Sequence, residues 1–119
     1  FLPEKQLKKQ INSIVTDSLD LEEPKNPDTC NAYGLYALLA NEDQTAAMRE
    51  NYITGGWGYG HTKKAILELI LENYKEEREK FNFYMENKGE LDKVLAEGAA
   101  KAKIVADQVL NRVRNKVGY

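Results

Sequence analysis

The pattern of hydrophobic and polar positions predicts helices along most of the chain. Apolar residues recur at spacings of three and four, and no segment alternates with the period of two that indicates a strand. Breaks in this pattern divide the chain into five helices, which begin near Pro3, Pro27, Asn41, Thr62 and Glu90. The fourth helix extends to about Met85 and the fifth to about Lys116. We therefore predict an all-α fold, a helical bundle of about five helices whose two long C-terminal helices are antiparallel.

The same positions predict which helix faces are buried. The apolar face of the second helix consists of Ala32, Leu35, Leu38 and Leu39. The expected core stripe of the fourth helix is Ile66, Ile70, Tyr74, Phe81 and Tyr84. The fifth helix carries the longest stripe, from Leu91 to Val113, and the small residues between 98 and 102 permit another helix to approach closely.

Two segments between the helices are rich in residues that favour turns. Residues 18–28 contain two prolines and four acidic side chains, so we expect a loop there. Residues 55–60 contain four glycines interleaved with Trp57 and Tyr59. The spacing is not that of a P-loop, and His61 stands where the third glycine of a dinucleotide-binding motif belongs. We interpret this segment as a helix–turn–helix connection packed by the two aromatic rings.

The composition indicates a soluble globular domain. Of the 119 residues, 42% are hydrophobic and 30% are charged, and the net charge is −2. No apolar run approaches the roughly 18 residues of a membrane-spanning helix, so we expect no membrane partner. The single cysteine, Cys30, is consistent with a reducing cytoplasm. The chain opens on Phe1 rather than methionine, and we therefore expect it to be excised from a longer protein.

Residues able to carry catalysis are scarce. Cys30 and His61 are the only residues of their types, so the sequence has none of the paired histidines or cysteine clusters that usually bind a metal. The two lie far apart in sequence, and nothing in their spacing supports a Cys–His nucleophile. We predict no catalytic, cofactor-binding or metal-binding residue in this chain.

Positive charge is concentrated near the end of the chain. After residue 100 there are five lysines and arginines against one acidic residue, Asp107. On a helix, Lys101, Arg112 and Lys116 lie along one flank of the apolar stripe, whereas Arg114 points away from it. These cations form either a solvated face that complements the helix dipole or a strip that contacts phosphates, and the sequence leaves both interpretations open.

Three stretches resemble the C-terminal region of bacterial-type tryptophanyl-tRNA synthetases. The first comprises LKKQI at 7–11 and VTDS at 15–18; the second comprises ENY at 50–52, GWGYG at 56–60 and KK at 63–64; the third comprises LDKVL at 91–95 and EGAAKA at 97–102. Residues 106–118 continue the third stretch, and the spacing of their apolar residues resembles that at the C-terminus of the family. Together the matches cover most of the chain.

The resemblance implies a part of a class I aminoacyl-tRNA synthetase that lacks the catalytic domain. Residues 1–18 would be a junction helix after that domain, and residues 19–119 a helical anticodon-binding domain. The full-length parent would be a homodimeric cytoplasmic ligase that activates tryptophan with ATP and Mg²⁺ and charges tRNA(Trp) for protein synthesis. The family's histidine–glycine signature and lysine–serine loop have no counterpart in this sequence. We therefore expect this chain alone to be inactive and to bind no cofactor.

The expected partners are the anticodon arm of tRNA(Trp) and the catalytic domain of the parent. Lys63 and Lys64 match the family's lysine pattern after the glycine-rich segment, and Lys101 and Arg114 match positions of its terminal helix. The resemblance and the charge pattern together give six candidate tRNA-binding residues: Lys63, Lys64, Lys101, Arg112, Arg114 and Lys116. A carboxylate is an alternative partner for Lys63. Trp57 and Tyr59 are candidate stacking residues, although we expect them to pack in the core.

Two other functions remain open from the sequence. The equivalent domain of a tyrosyl-tRNA synthetase shares this architecture. A stand-alone helical module could instead bind another protein through the alanine and glycine surface of the last helix, at residues 98–102.

Overall fold

A computed structural model describes residues 1–118, and these form six α-helices without a strand. The helices are α1 (Glu4–Asn12), α2 (Asn31–Leu39), α3 (Glu42–Thr54), α4 (Tyr59–Asn73), α5 (Lys75–Glu86) and α6 (Lys88–Val117). A single 3₁₀ turn, Pro27–Thr29, precedes α2. The all-α prediction is confirmed. Tyr119, the last residue of the predicted domain 19–119, lies outside the described residues.

The chain divides into two compact units, Phe1–Arg78 and a second that begins at Glu79. In the first unit α2 packs against α3 and α4, and α1 packs against α4. The buried hydrophobic residues of its core are Ile11, Ala32, Tyr33, Tyr36, Met48, Tyr52, Ile66, Leu67 and Leu69. Each of the helices α1–α4 contributes at least one residue to this core.

The buried face of α2 differs from the predicted one. The structure buries Ala32, Tyr33 and Tyr36, whereas Leu38 is 83% exposed and Leu35 also reaches solvent. α2 is apolar on almost every side, so its hydrophobic periodicity does not select a face. Packing selects the tyrosine face, where the Tyr33 hydroxyl donates to the backbone oxygen of Thr45 at 3.4 Å.

Capping residues determine several helix ends. The side chain of Asn41 accepts a hydrogen bond from the backbone N–H of Gln44 at 2.9 Å, and the Gln44 side chain accepts from the N–H of Asn41 at 3.0 Å. This capping box confirms Asn41 as the start of the third helix. The helix ends at Thr54, directly before Gly55, as predicted.

Two of the other predicted boundaries are wrong. The first helix ends at Asn12 rather than near 16–18, because the Ser13 hydroxyl donates to the backbone oxygen of Gln10 and closes the last turn. The second helix begins at Asn31 rather than at Pro27, because the Asn26 side chain accepts from the N–H of Asp28 and begins the 3₁₀ turn instead.

The helix predicted over 62–85 is instead two helices that meet at Tyr74. Tyr74 has φ −113° and ψ 25°, which is outside the helical region and separates α4 from α5, although its N–H still donates to the oxygen of Ile70 and its oxygen accepts from the N–H of Arg78. Of the predicted stripe, Ile66 is buried, but Tyr74 and Phe81 are 42% and 38% exposed. No glycine or proline marks this break.

The second unit contains most of α5 and all of α6. α6 is 30 residues long and ends at Gly118, whose left-handed backbone lets its N–H donate to the oxygen of Arg114. Neither α5 nor α6 has a buried residue. α6 is the long last helix that the sequence predicts.

Candidate functional site

The glycine-rich segment 55–60 packs against the acidic loop that precedes α2. Gly55 has φ +86°, and a Cβ on it would lie 2.5 Å from the backbone oxygen of Glu22. A Cβ on Gly58 would lie 2.8 Å from Cδ1 of Leu21. Gly55 is therefore needed for backbone shape, and both Gly55 and Gly58 for close packing, which agrees with the predicted connection between helices.

A buried lysine, missed by sequence reasoning, holds the acidic loop in place. The Lys25 ammonium donates to the backbone oxygens of Asp20 at 2.7 Å, Glu23 at 2.9 Å and Leu21 at 3.2 Å. Its Nζ also lies 5.4 Å from the centre of the Tyr59 ring. Because carbonyl oxygens surround the charge, Lys25 can be 97% buried without a carboxylate partner.

Trp57 and Tyr59 are packing residues in this structure. The indole N–H of half-buried Trp57 donates to Oγ1 of Thr62 at 3.1 Å, and its ring lies 5.1 Å from that of His61. The Tyr59 hydroxyl donates to a carboxylate oxygen of Asp17, and burial, together with this carboxylate, raises the pKa of Tyr59. Both half-buried rings are thus held by contacts within the first unit, and stacking on a base stays a prediction.

A polar network joins α3 and α4 inside the core. The Tyr52 hydroxyl lies 3.0 Å from Oγ1 of Thr62 and 3.6 Å from Sγ of Cys30. Burial raises the pKa of Tyr52. The network satisfies buried polar groups, and Cys30 has Tyr52 rather than a histidine as its neighbour.

The described residues contain no cluster that could bind a metal. No three histidine, cysteine or acidic side chains converge among residues 1–118. The one histidine, His61, is exposed beside Trp57. Within the same residues no helix is both long and apolar enough to cross a bilayer.

Lys63 and Lys64 occupy different environments at the start of α4. The Lys63 ammonium donates to the backbone oxygens of Asn12 at 3.0 Å and Ile14 at 2.8 Å, so it closes the end of α1. Its partners are thus backbone carbonyl oxygens rather than a carboxylate. Lys64 is exposed, and its Nζ lies 3.7 Å from a carboxylate oxygen of Glu68, which is longer than a hydrogen bond.

The four candidate cations of the second unit lie exposed on α6. Since successive residues are about 100° apart around a helix, Lys101, Arg112 and Lys116 share one flank and Arg114 points away from it. None of the four forms an ion pair within residues 1–118, whereas the neighbouring Lys103 pairs with Asp107 at 2.9 Å. Lys101, Arg112 and Lys116 are available to an anionic partner, and we call these three residues the α6 strip.

Comparison with known proteins extends the motif resemblance to the whole chain. The chain is 41% identical to the tryptophan–tRNA ligase of Campylobacter jejuni (strain RM1221) over 118 residues, which are 99% of this chain and 37% of that protein. It is 41% identical to the tryptophan–tRNA ligase of Fusobacterium nucleatum over 99% of this chain and 36% of that protein. No protein-family model matches.

The fold agrees with a solved structure of the same kind. The crystal structure of tryptophanyl-tRNA synthetase from Campylobacter jejuni superposes with a TM-score of 0.90 at 40% identity, over 100% of this chain and 38% of that one. A second crystal structure of that protein, complexed with ADP and tryptophan, superposes equally well. The chain thus spans somewhat more than a third of the length of these relatives.

Proposed function

We propose that this chain, which is homologous along its length to one region of the tryptophanyl-tRNA synthetases, is a tRNA-binding part of such an enzyme. The observation that carries the proposal is the joint agreement of sequence and fold, 40% identity and a TM-score of 0.90 over the entire chain. The relatives reported above are named for tryptophan, which favours a tryptophan enzyme over the tyrosine-specific alternative.

In this proposal residues 1–18 are a junction helix, residues 19–119 are the helical anticodon-binding domain, and both belong to the C-terminal region. The full-length parent activates tryptophan with ATP and transfers it to tRNA(Trp) during protein synthesis in the cytoplasm. The parent acts as a homodimer. These activities and partners are inferred from homology to proteins of which the chain covers about 37%.

The α6 strip supports tRNA binding by its charge and its exposure. Lys101, Arg112 and Lys116 project from one flank of α6 without ion-pair partners in the described chain. Cations of this kind neutralise phosphates and release counterions, so binding weakens as salt rises. Arg114 and Lys64 are also exposed, and we keep them as candidate phosphate contacts. Lys63 is the weakest candidate because its ammonium already donates to two backbone oxygens.

In this proposal the activation of tryptophan belongs to the part of the ligase outside this chain, because the family's catalytic signatures have no counterpart in this sequence. This chain contributes positioning of the tRNA.

A mobility-shift titration of tRNA(Trp) with the 119-residue chain tests the proposal. We expect binding at low salt and a negative slope of the logarithm of affinity against the logarithm of salt concentration. The double variant Arg112→Glu, Lys116→Glu should weaken binding and flatten the slope. Lys103→Glu is the control, because Lys103 is already paired with Asp107.

Two results would contradict the proposal. Absence of tRNA binding at low salt, together with self-association in a size-exclusion series over protein concentration, would favour the stand-alone interaction module. Exchange of pyrophosphate into ATP in the presence of tryptophan, by the chain alone, would show that it carries a catalytic site.

A further inference from the structure

Three side chains of α4 and α5, those of Tyr59, Lys63 and Arg78, donate hydrogen bonds to the segment that contains α1. We call these three residues the α1 clamp. We infer that the clamp positions tRNA for the transfer of tryptophan, so that its members are positioning residues of the parent enzyme. The inference rests on the proposed function and adds a role for residues that contact with tRNA does not explain.

The clamp binds α1 at both ends. At the C-terminal end the Lys63 ammonium donates to the backbone oxygens of Asn12 and Ile14. At the N-terminal end the Arg78 guanidinium donates to the backbone oxygen of Leu2 at 2.8 Å. Because the acceptors are backbone atoms, these two cations fix the path of the chain before and after α1.

The clamp also joins two of the stretches that resemble the synthetase family. Tyr59 belongs to GWGYG at 56–60, and its acceptor Asp17 belongs to VTDS at 15–18. Tyr59 and Lys63 are four residues apart, so they lie on the same face of α4 and both reach the segment that follows α1. The tyrosine and the first lysine of the second stretch thus bind the end of the first stretch together.

Charge and burial distinguish Lys63 and Arg78 from the other cations of α4 and α5. Both are half-buried, and neither forms an ion pair with another residue between 1 and 118. Lys64, Lys75 and Lys80 are exposed. A half-buried cation without a carboxylate partner is stabilised by the carbonyl oxygens that it reaches, so these contacts hold the two side chains in place.

α1 depends on these contacts for its orientation. It has nine residues, too few for a stable helix in water, and Ile11 is its only buried residue. Within residues 1–118, α4 is the one helix against which α1 packs. The clamp therefore makes α1 and the segment after it move with α4.

A fixed junction matters more for the transfer of tryptophan than for its activation. In the proposed function residues 1–18 connect the catalytic domain to the tRNA-binding helices. Transfer requires the reacting atoms of tRNA and activated tryptophan to meet at about 3–3.5 Å, and small errors of position slow such steps steeply. Activation joins tryptophan to ATP and involves no tRNA. A weakened clamp should therefore lower the rate of transfer and leave activation unchanged.

Charging of tRNA(Trp) and exchange of pyrophosphate into ATP, both by the full-length ligase, separate these two steps. We expect Lys63→Met to lower kcat for charging by about tenfold and to change the KM for tRNA and the rate of exchange by less than about twofold. Lys63→Arg, which keeps a donor, should restore most of kcat. Lys75→Met is the control, because exposed Lys75 carries the same charge and lies outside the clamp.

Two results would overturn the inference. A raised KM for tRNA with unchanged kcat would make Lys63 a direct phosphate contact instead. Equal losses in charging and in exchange would mean that the variant only lowers the amount of folded enzyme. If the wild-type ligase charges no tRNA(Trp), the proposed function itself is wrong and the inference falls with it.

Amide hydrogen exchange tests the clamp in the 119-residue chain without any tRNA. The N–H of Ile14 donates to the oxygen of Ile11 at 3.1 Å, in the turn that Lys63 closes. Lys63→Met should speed exchange at Ile14, whereas Lys75→Met should not. Equal exchange in the wild type and in Lys63→Met would overturn the clamp and would leave the proposed function in place.

Discussion

The two units of the chain have similar hydrophobic patterns but differ in how far their apolar side chains are buried. In the first unit the apolar faces of α1–α4 meet, and Tyr52 and Ile66 are fully buried between them. In the second unit α6 carries an equally regular stripe, yet Val105 and Val109 are 61% and 44% exposed. Helical periodicity thus predicts the helix in both units but predicts burial in only one.

Different forces stabilise the helices of the two units. α1 and α2 have nine residues each, too few to persist in water without tertiary packing. α6 has 30 residues and is supported along its own length, by Glu90–Lys93 and Lys103–Asp107 ion pairs and by its glycine cap. We therefore expect substitutions of like chemistry to have unlike effects in the two units.

The largest contrast should come from removing an isoleucine side chain in each unit. Ile66→Ala should lower the free energy of unfolding by about 3 kcal/mol, because it leaves a cavity in the packed core. Ile104→Ala, at a position 61% exposed on α6, should cost less than about 0.5 kcal/mol. Urea titrations followed by circular dichroism measure both, and similar losses would remove the distinction between the units.

Replacing a glycine by alanine should lower the free energy of unfolding in the first unit and raise it in the second. Gly55→Ala should destabilise by about 2 kcal/mol or more, because φ +86° with ψ −179° is a conformation for glycine and the Cβ meets Glu22. Gly98→Ala should stabilise by about 0.5–1 kcal/mol, since a Cβ there meets nothing within 4 Å inside a helix. Thermal unfolding of the pair checks the prediction, and a stabilising Gly55→Ala would refute the close packing of the acidic loop.

Adjacent lysines sharpen the comparison within the first unit. Lys63→Met should destabilise by about 1 kcal/mol, because it removes the donor that binds Asn12 and Ile14. Lys64→Met should change the free energy of unfolding by less than about 0.5 kcal/mol, since its ion pair with Glu68 is long and exposed. Equal effects in denaturant titrations would show that the Lys63 contacts do not support the fold.

At neutral pH the smallest effect on stability is expected from two tyrosine hydroxyls of the first unit. Burial raises the pKa of Tyr52 and Tyr59 in the folded state, so folding favours their neutral forms. Their contribution is complete below the ordinary tyrosine pKa of about 10 and is lost as pH rises above it. Tyr59→Phe should therefore flatten the loss of stability between about pH 9 and 11.

Tyr74→Phe is the control for this pH dependence, because the Tyr74 ring is 42% exposed. Its unfolding midpoint should fall with pH as steeply as that of the wild type. A wild-type midpoint that stays constant over the same range would contradict the assigned pKa shifts.

The sequence predicted those features that depend on local chemistry. The helical class, the capping role of Asn41 and the stop at Gly55 follow from spacing and from the special properties of asparagine and glycine. The buried face of α2 did not follow, because an almost wholly apolar helix offers no contrast between faces. The break at Tyr74 could not be predicted, because no glycine or proline lies there to interrupt the helical pattern.

The candidate site was predictable in charge but not in arrangement. The α6 strip follows from helical spacing, since Lys101, Arg112 and Lys116 share a flank wherever the helix lies. The difference between Lys63 and Lys64 depends on where α1 ends, which no local pattern shows.

The buried ammonium of Lys25 has a consequence for proteolysis. Residues 18–28 form the acidic loop, which has the polar composition of segments that proteases often cut, and Lys25 is the only basic residue among them. Trypsin must take that side chain into its specificity pocket, but the backbone of the same loop surrounds it, and its own N–H donates to Tyr52. The acidic loop is therefore protected from trypsin by the burial of Lys25, the residue that trypsin would recognise.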